Sequence, residues 1–466
     1  MIRLSSALLG SPVVSLQIVI LAAGLGKRMH SDLPKVLHAV GGRPMLAHVL
    51  EAARALNPAR IVVVIGHGGE QVRAAFPQAD LRWVTQDPPQ GTGHALQQAI
   101  PMLAGDGSVL VLYGDVPLVQ PTSLAPLCTA ANAGRLAIQT QILPDPTGYG
   151  RVVRDEAGHV RRIVEHKDAT VEERQIGEMF TGIIAAPAAK LARWVGALEN
   201  NNEQGEYYLT DVIAMAAADG VDIASAQPGH AREMNGINSK AQLAAVERAL
   251  QDAHASALLA QGVTLSDPRR IDIRGTLTCG RDVAIDINTI FEGQVRLGNR
   301  VTIGAHCVIR DCAIGEDTVV RPFTHLDGVI IGAHCDLGPY AHVHPDTELA
   351  DGVELGNFVE VKRSRIGAGS KAKHLSYIGD TTIGRNVNVG AGTITCNYDG
   401  AHKHRTVIED DVHIGSDVQL IAPVTVGKGA TIAAGATITD DVPPGGLTLT
   451  QKKQITKPDW KRPRKK

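Results

Sequence analysis

The second half of the chain is a hexapeptide repeat, and this repeat restricts the possible fold more than any other feature. From about residue 265 to residue 439, pairs of an aliphatic residue and a glycine recur at spacings of six or near-multiples of six, as at Ile303-Gly304 and Ile331-Gly332. Each hexad supplies one short strand with an inward aliphatic side chain and one corner of small residues, so three hexads close a triangular coil. The segment holds roughly ten such coils. We therefore predict a left-handed parallel β-helix.

The alternative, an ordinary β-sandwich, does not fit this pattern. A sandwich has strands of variable spacing and a core rich in aromatic residues, whereas only 3% of the residues here are aromatic. The array is interrupted at residues 397–405 (NYDGAHKHR), which must leave the β-helix as a loop. Loops on a rigid scaffold often carry function.

The first half of the chain shows a different pattern. Continuous apolar runs at residues 18–20, 61–65 and 109–113 are typical of strands buried on both faces, and residues 46–56 and 94–103 have helical spacing. This alternation predicts an open, mostly parallel α/β sheet with its ligand crevice at the carboxyl ends of the strands. A linker helix is predicted to begin at Ser239 and to end near Gln261.

A glycine-rich loop, LAAGLGKRMHSDLPK, follows the first predicted strand. Gly24 and Gly26 allow close backbone approach to a ligand, and Lys27, Arg28 and Lys35 add three positive charges. A strand, a glycine loop and clustered cations predict a triphosphate site. A glycine turn with solvated cations is the alternative that these residues leave open.

Bulk composition excludes several classes of function. The 466 residues suggest two or three domains, and a net charge of −2 gives no electrostatic case for nucleic acid or an acidic membrane. No apolar run is long enough to span a bilayer. The six cysteines contain no C-x-x-C pair, which fits a reducing cytosol, so we expect a cytoplasmic protein. Residues 1–16 superficially suggest a signal peptide, but we interpret them as a loose extension.

Motifs from both halves of the chain occur together in one order. They read LAAGLGKRMHSDLPK, QDPPQGTGHA, LYGDVP, DPTGYGR, VEHKDA, QGEYYLTD, NFVEVK, KAKHLSYIGD and NVGAGTITCNYDG. Over roughly residues 17–450 the chain thereby resembles one bacterial family. Its members are both N-acetylglucosamine-1-phosphate uridyltransferases and glucosamine-1-phosphate N-acetyltransferases.

The resemblance implies an α/β, Rossmann-like nucleotidyltransferase domain followed by a left-handed parallel β-helix of hexapeptide repeats. We expect the extension at 1–16, the uridyltransferase domain at 17–238 and the linker helix at 239–262. The acetyltransferase β-helix follows at 263–450 and a basic tail at 451–466. The implied small-molecule substrates are UTP, glucosamine-1-phosphate, N-acetylglucosamine-1-phosphate and acetyl-CoA, with Mg²⁺ as cofactor, and the implied assembly is a homotrimer. Neither nucleic acid nor a membrane is an expected partner.

The resemblance also implies a uridyltransferase site. Asp115 and Asn238 would hold Mg²⁺, for which their oxygen ligands are suited, while Arg28 and Lys35 would neutralise the triphosphate. From the sequence alone, Asp115 is equally well a carboxylate in a turn at a strand end. The residues implied to contact the nucleotide sugar are Leu21, Ala22, Ala23, Gly24, Lys35, Gln86, Gly91, Thr92, Tyr113, Gly114, Asp115, Gly150, Glu165 and Asn238.

The implied acetyltransferase site lies on the β-helix. His374 would act as general base, because the ordinary pKa of histidine suits removal of a proton from an amine. The residues implied to bind glucosamine-1-phosphate are His344, Lys362, Tyr377 and Asn388. Those implied to line the acetyl-CoA groove are Ala391, Asn397, Tyr398, Ser416 and Ala434. In this family three chains pack side by side, with the site between β-helices.

Three positions depart from the family pattern. Phe180 replaces an asparagine that contacts the nucleotide sugar, so we expect weaker sugar binding. His344 replaces a phosphate-binding arginine and Gln451 an arginine near acetyl-CoA. A histidine compensates only when protonated, so the KM for glucosamine-1-phosphate should fall as the pH drops from about 8 to 6. His342 and His344 also form a His-x-His pair, but the sequence shows no third metal ligand.

Two other functions remain open at this point. The chain could be a sugar nucleotidyltransferase whose β-helix only assembles trimers or senses an effector, or a non-catalytic scaffold. His374 and the loop at 397–405 distinguish the bifunctional enzyme from the first alternative. Arg28, Lys35 and Asp115 distinguish both enzymes from the second.

Overall fold

The computed structural model describes residues 15–450 and 454–462 in two compact units, with the division in the chain between Leu250 and Gln251. Predictions that concern residues 1–14 or Gln451 lie outside the described residues. The first strand was expected to follow an extension at residues 1–16, and it begins at Leu16.

Over its described residues, 15–250, the first unit has eleven strands, with helices on both faces of the main sheet. Its strands are β1 Leu16–Ala22, β2 Ala39–Val40, β3 Arg43–Pro44, β4 Arg60–Ile65, β5 Leu81–Thr85, β6 Ser108–Tyr113, β7 Leu136–Ile142, β8 Arg151–Arg154, β9 Val160–Val164, β10 Glu178–Pro187 and β11 Ile223–Ala226. Its helices are α1 Met45–Ala55, α2 Gly69–Ala75, α3 Thr92–Ala99, α4 Pro121–Asn132, α5 Val171–Arg174, α6 Ala188–Gly196 and α7 Asp211–Ala218, with 3₁₀ turns at Lys27–Met29, Lys35–Leu37, Ile100–Met102 and Ala231–Met234.

The predicted open α/β sheet is confirmed, with one strand reversed. The strand order is β11-β7-β10-β6-β1-β4-β5, and β1 pairs in parallel with β4 and β6. Strand β10 runs antiparallel to β6 and β7 and also carries the β8–β9 hairpin. The carboxyl ends of β1 and β6 therefore open at the same edge, where the rule for parallel sheets places a ligand.

Two apolar layers cover this sheet. One packs α1, α2 and α4 against residues such as Ile18 and Leu110, and the other packs α3, α6 and α7 against residues such as Val19 and Val111. Successive residues of β1 and β6 thus point to opposite faces and are buried on both. The predicted helix over 94–103 instead ends as α3 at Ala99 and continues as a 3₁₀ turn, because Pro101 lacks the amide donor that an α-helix requires there.

The predicted linker helix is α8, Lys240–Ala260. The Ser239 hydroxyl accepts a hydrogen bond from the Gln242 amide at 3.3 Å and so caps its first turn. Val246 and Ala249 pack into a cluster of the first unit, whereas Ala255 and Leu258 belong to the core of the second. The helix is therefore continuous in the chain while its two halves are buried in different cores.

The second unit is a parallel β-helix. Its strands are β12 Thr264–Leu265, β13 Ile271–Cys279, β14 Ala284–Ile285, β15 Thr289–Leu297, β16 Thr302–Ile303, β17 Val308–Arg310, β18 Ala313–Ile314, β19 Val319–Val320, β20 His325–Asp327, β21 Val329–Ile331, β22 Asp336–Leu337, β23 His342–Val343, β24 Thr347–Leu349, β25 Glu354–Lys362, β26 Arg365–Ile366, β27 Lys371–Gly379, β28 Thr381–Ile383, β29 Asn388–Val389, β30 Ile394–Cys396, β31 Thr406–Ile408, β32 His413–Ile414, β33 Gln419–Ile421, β34 Val424–Val426, β35 Thr431–Ile432, β36 Thr437–Ile438 and β37 Leu447–Thr448.

Contacts from one coil to the next confirm the predicted repeat. Stacked residues are 18 positions apart, which is three hexads, or 17 where a coil is one residue shorter. The spacing rises to 25 where Thr381 pairs with Thr406, because the loop at 397–405 inserts between these coils. Inward aliphatic residues form one continuous core along the stack, in which Ile303, Ile331 and Ile414 are buried.

One corner of the β-helix carries a stack of aromatic rings. We call His306, Phe323, Tyr340 and Phe358 the aromatic column, because the ring centroids of successive members lie 4.9, 4.9 and 5.2 Å apart. All four have positive φ angles, between 56° and 62°. Bulky residues rarely adopt this left-handed conformation, and Phe323, Tyr340 and Phe358 are 47, 47 and 59% exposed.

All six cysteines are free. Among the helices formed by residues 15–450 and 454–462, none has the length and apolarity needed to cross a membrane.

Candidate active sites

The first candidate site is a cavity of about 380 Å³ at the carboxyl ends of β1 and β6. It gathers ten of the residues that the sequence assigned to nucleotide-sugar binding, from segments far apart in the chain. These ten are Leu21, Ala22, Ala23, Gly24, Lys35, Gln86, Gly91, Thr92, Tyr113 and Asp115.

The Lys35 ammonium lies at the centre of the polar contacts in this site. Its Nζ atom lies 2.5 Å from Asp115 Oδ2 and 2.9 Å from Asn238 Oδ1. The Lys35 and Asp115 side chains are only 10 and 16% exposed. The backbone holds this arrangement, because the Ile237 amide donates to the Asp115 carbonyl at 3.0 Å and so fixes Asn238 beside the carboxylate.

The two oxygen atoms around Lys35 also suit a divalent cation. A carboxylate oxygen and an amide oxygen converge on one positive charge, so the ammonium marks a point that both can coordinate. Mg²⁺ binds through one or two protein oxygens, with phosphate and water oxygens completing its shell. The donor set of Asp115 and Asn238 therefore fits this metal.

Gln86 is held at the cavity wall. Its backbone amide donates to the Ile65 carbonyl at 2.8 Å, and its Nε2 atom donates to the Gly91 carbonyl at 3.0 Å. Gly91 has a φ of 99°, and a Cβ at this position would lie 2.7 Å from the Tyr207 carbonyl oxygen. Glycine is therefore required, and the side-chain amide of Gln86 presents a fixed edge to the cavity.

Gly150 and Glu165 lie close together at one end of the β8–β9 hairpin. A Cβ on Gly150 would lie 3.6 Å from Glu165 Oε2, and the Thr210 hydroxyl donates to Glu165 Oε1 at 3.2 Å. Burial raises the pKa of Glu165, with a smaller opposing effect of the Thr210 bond. Gly114 lies one residue before Asp115, and its amide donates to the Leu21 carbonyl at 2.9 Å.

Two other expected residues lie outside the cavity lining. Arg28 is exposed in the 3₁₀ turn Lys27–Met29. Phe180 is 6% exposed, and its side chain belongs to the apolar cluster that contains Val152 and Ile163. The Phe180 backbone contacts one residue that is expected to bind the sugar, because its amide donates to the Gly150 carbonyl at 2.9 Å.

The sequence did not single out several residues of this site. The cavity is also lined by Leu25, Val36, Pro89, Ala95 and Glu206, and His94 and Gly182 contact lining residues. His94 Nδ1 lies 3.1 Å from Gln86 Nε2, and Glu206 lines the cavity. Gly182 packs under the Tyr113 ring, since a Cβ there would lie 2.6 Å from Tyr113 Cε2. His94 and Glu206 fall within motifs already recognised, QGTGHA and QGEYYLTD, but a motif does not show which of its side chains faces a ligand.

The second candidate site lies along one corner of the β-helix. His374 is exposed and immediately precedes Leu375, which has a φ of 41° and is 65% exposed. The positions that follow in successive coils are Ala391, Ser416 and Ala434. The Asp417 amide donates to the Ala391 carbonyl at 2.7 Å. His374 and the three residues implied to contact acetyl-CoA therefore lie along one edge of the β-helix.

Tyr377 and Asn397 meet above Gly379. A Cβ on Gly379 would lie 2.5 Å from the Tyr377 hydroxyl and 2.8 Å from Asn397 Nδ2. Asn397 Nδ2 also donates to Asp380 Oδ2 at 2.5 Å, and Asp380 is held by Arg363 through bonds of 2.8 and 2.9 Å. The tyrosine and the asparagine are therefore brought together by the glycine.

His344 and Lys362 lie on the same outward side of the β-helix as Tyr377. Glu360 pairs in register with Tyr377 and accepts from His344 Nε2 at 2.8 Å. Lys362 lies two residues after Glu360, so both point outward from β25. These residues form one polar surface next to the corner that carries His374.

Asn388 and Tyr398 lie on other elements, β29 and the loop at 397–405. Asn388 pairs with Lys371 and His413, three residues before the Ala391 corner. Tyr398 is 60% exposed in the loop at 397–405, where it bridges to Lys403 and its hydroxyl donates to the Gly400 carbonyl at 2.6 Å. Over the described ranges of the chain, no group of three or more His, Cys, Asp or Glu side chains could hold a metal.

Models of three known domain families match separate parts of the chain. The MobA-like NTP transferase domain matches residues 18–179, the GMPPB C-terminal domain matches residues 273–366, and the bacterial transferase hexapeptide model matches residues 405–440. The first lies in the α/β unit and the other two in the β-helix.

Curated relatives match nearly the whole chain. The "Bifunctional protein GlmU" of Burkholderia multivorans is 59% identical over 451 residues, which is 97% of this chain and 100% of that protein. The protein of the same name from Cupriavidus pinatubonensis is 58% identical, with coverages of 97% and 99%. That from Azoarcus sp. is 57% identical, with coverages of 96% and 99%.

Proposed function

The chain belongs to the family of bifunctional GlmU proteins, and from this membership we propose that its two reactions take place at the two sites described above. It is a uridyltransferase for N-acetylglucosamine-1-phosphate and an acetyltransferase for glucosamine-1-phosphate. Its substrates are small molecules. Family membership favours this bifunctional enzyme over a nucleotidyltransferase with a passive β-helix and over a non-catalytic scaffold.

The single observation that carries the first assignment is the convergence of Asp115 and Asn238 on Lys35. In uridylyl transfer a phosphate oxygen of N-acetylglucosamine-1-phosphate attacks the α-phosphorus of UTP, and pyrophosphate leaves. This chemistry needs positioning and charge neutralisation rather than a protein nucleophile. Asp115 and Asn238 would hold Mg²⁺, which when bound supplies positive charge to the phosphate oxygens.

The remaining residues of the cavity would bind and orient the two substrates. Lys35 would neutralise the triphosphate, and the exposed Arg28 would reach it from the loop. The fixed amide of Gln86, with Gly91 and Thr92, would recognise the uracil edge. Gly150 and Glu165 would contact the sugar, and the buried Phe180 would contribute no polar group to it.

For acetyl transfer, we assign the proton-accepting role to His374. The amine of glucosamine-1-phosphate attacks the thioester carbonyl of acetyl-CoA while His374 takes the amine proton; the C–S bond then breaks, and the leaving CoA thiolate takes up this proton from His374. Lys362 and His344 would bind the sugar phosphate, and Tyr377 and Asn388 the sugar. Ala391, Asn397, Tyr398, Ser416 and Ala434 would line the acetyl-CoA groove.

A homotrimer follows from the same proposal, and the hexapeptide repeat is compatible with oligomerisation. The aromatic column supports it, because exposed stacked rings in strained corner conformations are favoured where another surface covers them. The column ends at Phe358, whose neighbour Asn357 pairs in register with His374. A second chain would therefore enclose an acetyl site that is open in one chain. We also propose a cytoplasmic location, which the six free cysteines support.

The Asp115→Asn variant tests the metal assignment, since it removes the charge and keeps the shape. Uridylyl transfer, measured as pyrophosphate release, should fall at least 10²-fold, and binding of Mn²⁺ as a magnetic-resonance probe should weaken together with it. Acetyl transfer should be unchanged, which shows that the protein is folded. The exposed Asp106→Asn variant is the matched control. Full activity and unchanged Mn²⁺ binding in Asp115→Asn would reject the assignment.

A further inference from the structure

Three histidine rings lie in contact next to the proposed sugar-phosphate site. His325 stacks on His342 with ring centroids 4.7 Å apart and an angle of 5°, and the His342 and His344 centroids lie 4.0 Å apart. His325 and His342 are register partners in successive coils, and His342 in turn pairs with Glu360. We call these three residues the histidine stack.

The three rings have different electrostatic surroundings. His344 donates to Glu360 at 2.8 Å, so its positive charge, when present, is already balanced by this carboxylate. His325 Nε2 is buried and has no hydrogen-bond partner among the described residues. His342 lies between them, in register with Glu360, whose carboxylate accepts from His344.

The charges around His342 come from two neighbouring strands as well as its own. His325 and Asp327 face it from β20, Glu360 from β25, and His344 from the same chain segment. Burial lowers the pKa of His342, with further lowering by His344 and His325 that Glu360 and Asp327 partly offset. The ring is therefore neutral over most of the neutral pH range while no anion is bound.

A phosphate dianion brought next to His344 would change this balance. Lys362 already contributes one positive charge to the proposed phosphate site, but the pair of His344 and Glu360 adds no net charge, so His344 is a weak substitute for a second permanent cation. A second positive charge on His342 would attract the dianion, and the dianion would in turn stabilise that charge. Protonation of His342 and binding of the phosphate are therefore linked.

We infer that His342 is a phosphate-recognition residue of the acetyltransferase site, and that it takes up a proton from solvent as the phosphate of glucosamine-1-phosphate binds. His325 serves as the platform on which the His342 ring stacks. Glu360 positions His344 at the same anion. This inference rests on the proposed function of this site and adds to it a specificity-determining residue.

The test compares His342→Phe with its matched control His325→Phe, since phenylalanine keeps the stack and removes the titrating group. Thiol release at saturating acetyl-CoA gives the KM for glucosamine-1-phosphate between pH 6 and 8.5. Because the substrate amine titrates equally in all proteins, the ratio of variant to wild-type KM isolates the histidine. For His342→Phe this KM ratio should rise from about one at pH 8.5 to about ten at pH 6, because the variant lacks one charge-assisted contact to the phosphate. The kcat should remain within about twofold.

Calorimetry in two buffers of different ionisation enthalpy gives the second readout. Wild type and His325→Phe should take up between about half a proton and one proton more than His342→Phe on binding glucosamine-1-phosphate at neutral pH. Equal uptake and parallel KM profiles in wild type and His342→Phe would overturn the inference. An equal loss in His325→Phe would do the same, because it would show a packing role.

The outcome also separates this inference from the proposed function. If wild type released no thiol at any pH, acetyl transfer itself would be rejected. Calorimetry with inorganic phosphate as the probe would then still decide whether His342 takes up a proton on binding the anion.

Discussion

Lys35→Met is the substitution that tests the first site most sharply. It removes the ammonium that lies 2.5 Å from Asp115 and 2.9 Å from Asn238 and keeps most of the side-chain volume. We expect uridylyl transfer to fall by about 10²–10³-fold, while acetyl transfer on the same chain is unchanged.

The magnitude follows from the position of the charge. Two unit charges 4 Å apart interact by about 4 kcal/mol at the effective dielectric near a protein surface. Losing one such contact to the triphosphate in the transition state corresponds to about 3–4 kcal/mol, which is a factor of about 10²–10³ in rate. The variant also leaves the mostly buried Asp115 carboxylate unbalanced, so the first unit should lose about 1–3 kcal/mol of unfolding free energy.

Pyrophosphate release from UTP with N-acetylglucosamine-1-phosphate measures the effect, and thiol release from acetyl-CoA is the internal control for folding. Lys27→Met provides a matched variant, because Lys27 is an exposed lysine of the same loop. It should lose less than about threefold. Equal losses in Lys27→Met and Lys35→Met, or a Lys35→Met enzyme with wild-type kcat/KM, would refute the reasoning.

Three further predictions concern other residues. His374→Gln should lower acetyl transfer about 10²–10⁴-fold and leave pyrophosphate release unchanged, as measured by the two activity assays. Gly93→Ala should destabilise the first unit by about 1–3 kcal/mol in urea unfolding, because its Cβ would lie 2.8 Å from the Tyr207 carbonyl oxygen. Gly105→Ala, with no atom within 4 Å, should change it by less than about 0.5 kcal/mol. Because burial raises the pKa of Glu165, the folded state binds its proton more tightly than the unfolded state, and stability falls as the pH rises through these two pKa values. Glu165→Gln should therefore be more stable than wild type at pH 8 in urea unfolding, with a smaller difference at pH 4.

The β-helix was predictable because its hexapeptide period is visible in the sequence itself. An inward aliphatic residue and a small corner residue are needed in every hexad, so the pattern repeats without reference to distant parts of the chain. The aromatic column was not predictable in this way. Its members, such as Phe323 and Tyr340, occupy corner positions where local preference favours glycine or asparagine, and only the stacking of coils brings them together.

The α/β unit was predictable to the level of its buried strands. Continuous apolar runs indicated β1, β4 and β6, but nothing in the residues of β10 distinguishes an antiparallel strand from a parallel one. The same limit applies to Phe180. The departure from the family pattern predicts a missing polar contact to the sugar, but the burial of this side chain in the core depends on tertiary packing and could not be read from the sequence.

For the candidate sites, too, the sequence indicated individual residues but not the contacts between them. The family resemblance implied roles for Lys35, Asp115 and Asn238 separately, although Lys35 and Asn238 are 203 positions apart. Their meeting point depends on the order of strands in the sheet. The contact between His344 and Glu360 depends in the same way on which coil stacks on which, so its charge balance became visible only in the structure.

The central claim is that one chain carries two independent active sites. The most direct test measures both reactions on a single wild-type preparation: thiol release from acetyl-CoA with glucosamine-1-phosphate, and Mg²⁺-dependent pyrophosphate release from UTP with N-acetylglucosamine-1-phosphate. We predict that both occur, that a chelator abolishes only the second, and that each is saturable in its own sugar phosphate. A preparation that releases pyrophosphate but no thiol, or thiol but no pyrophosphate, would contradict the claim.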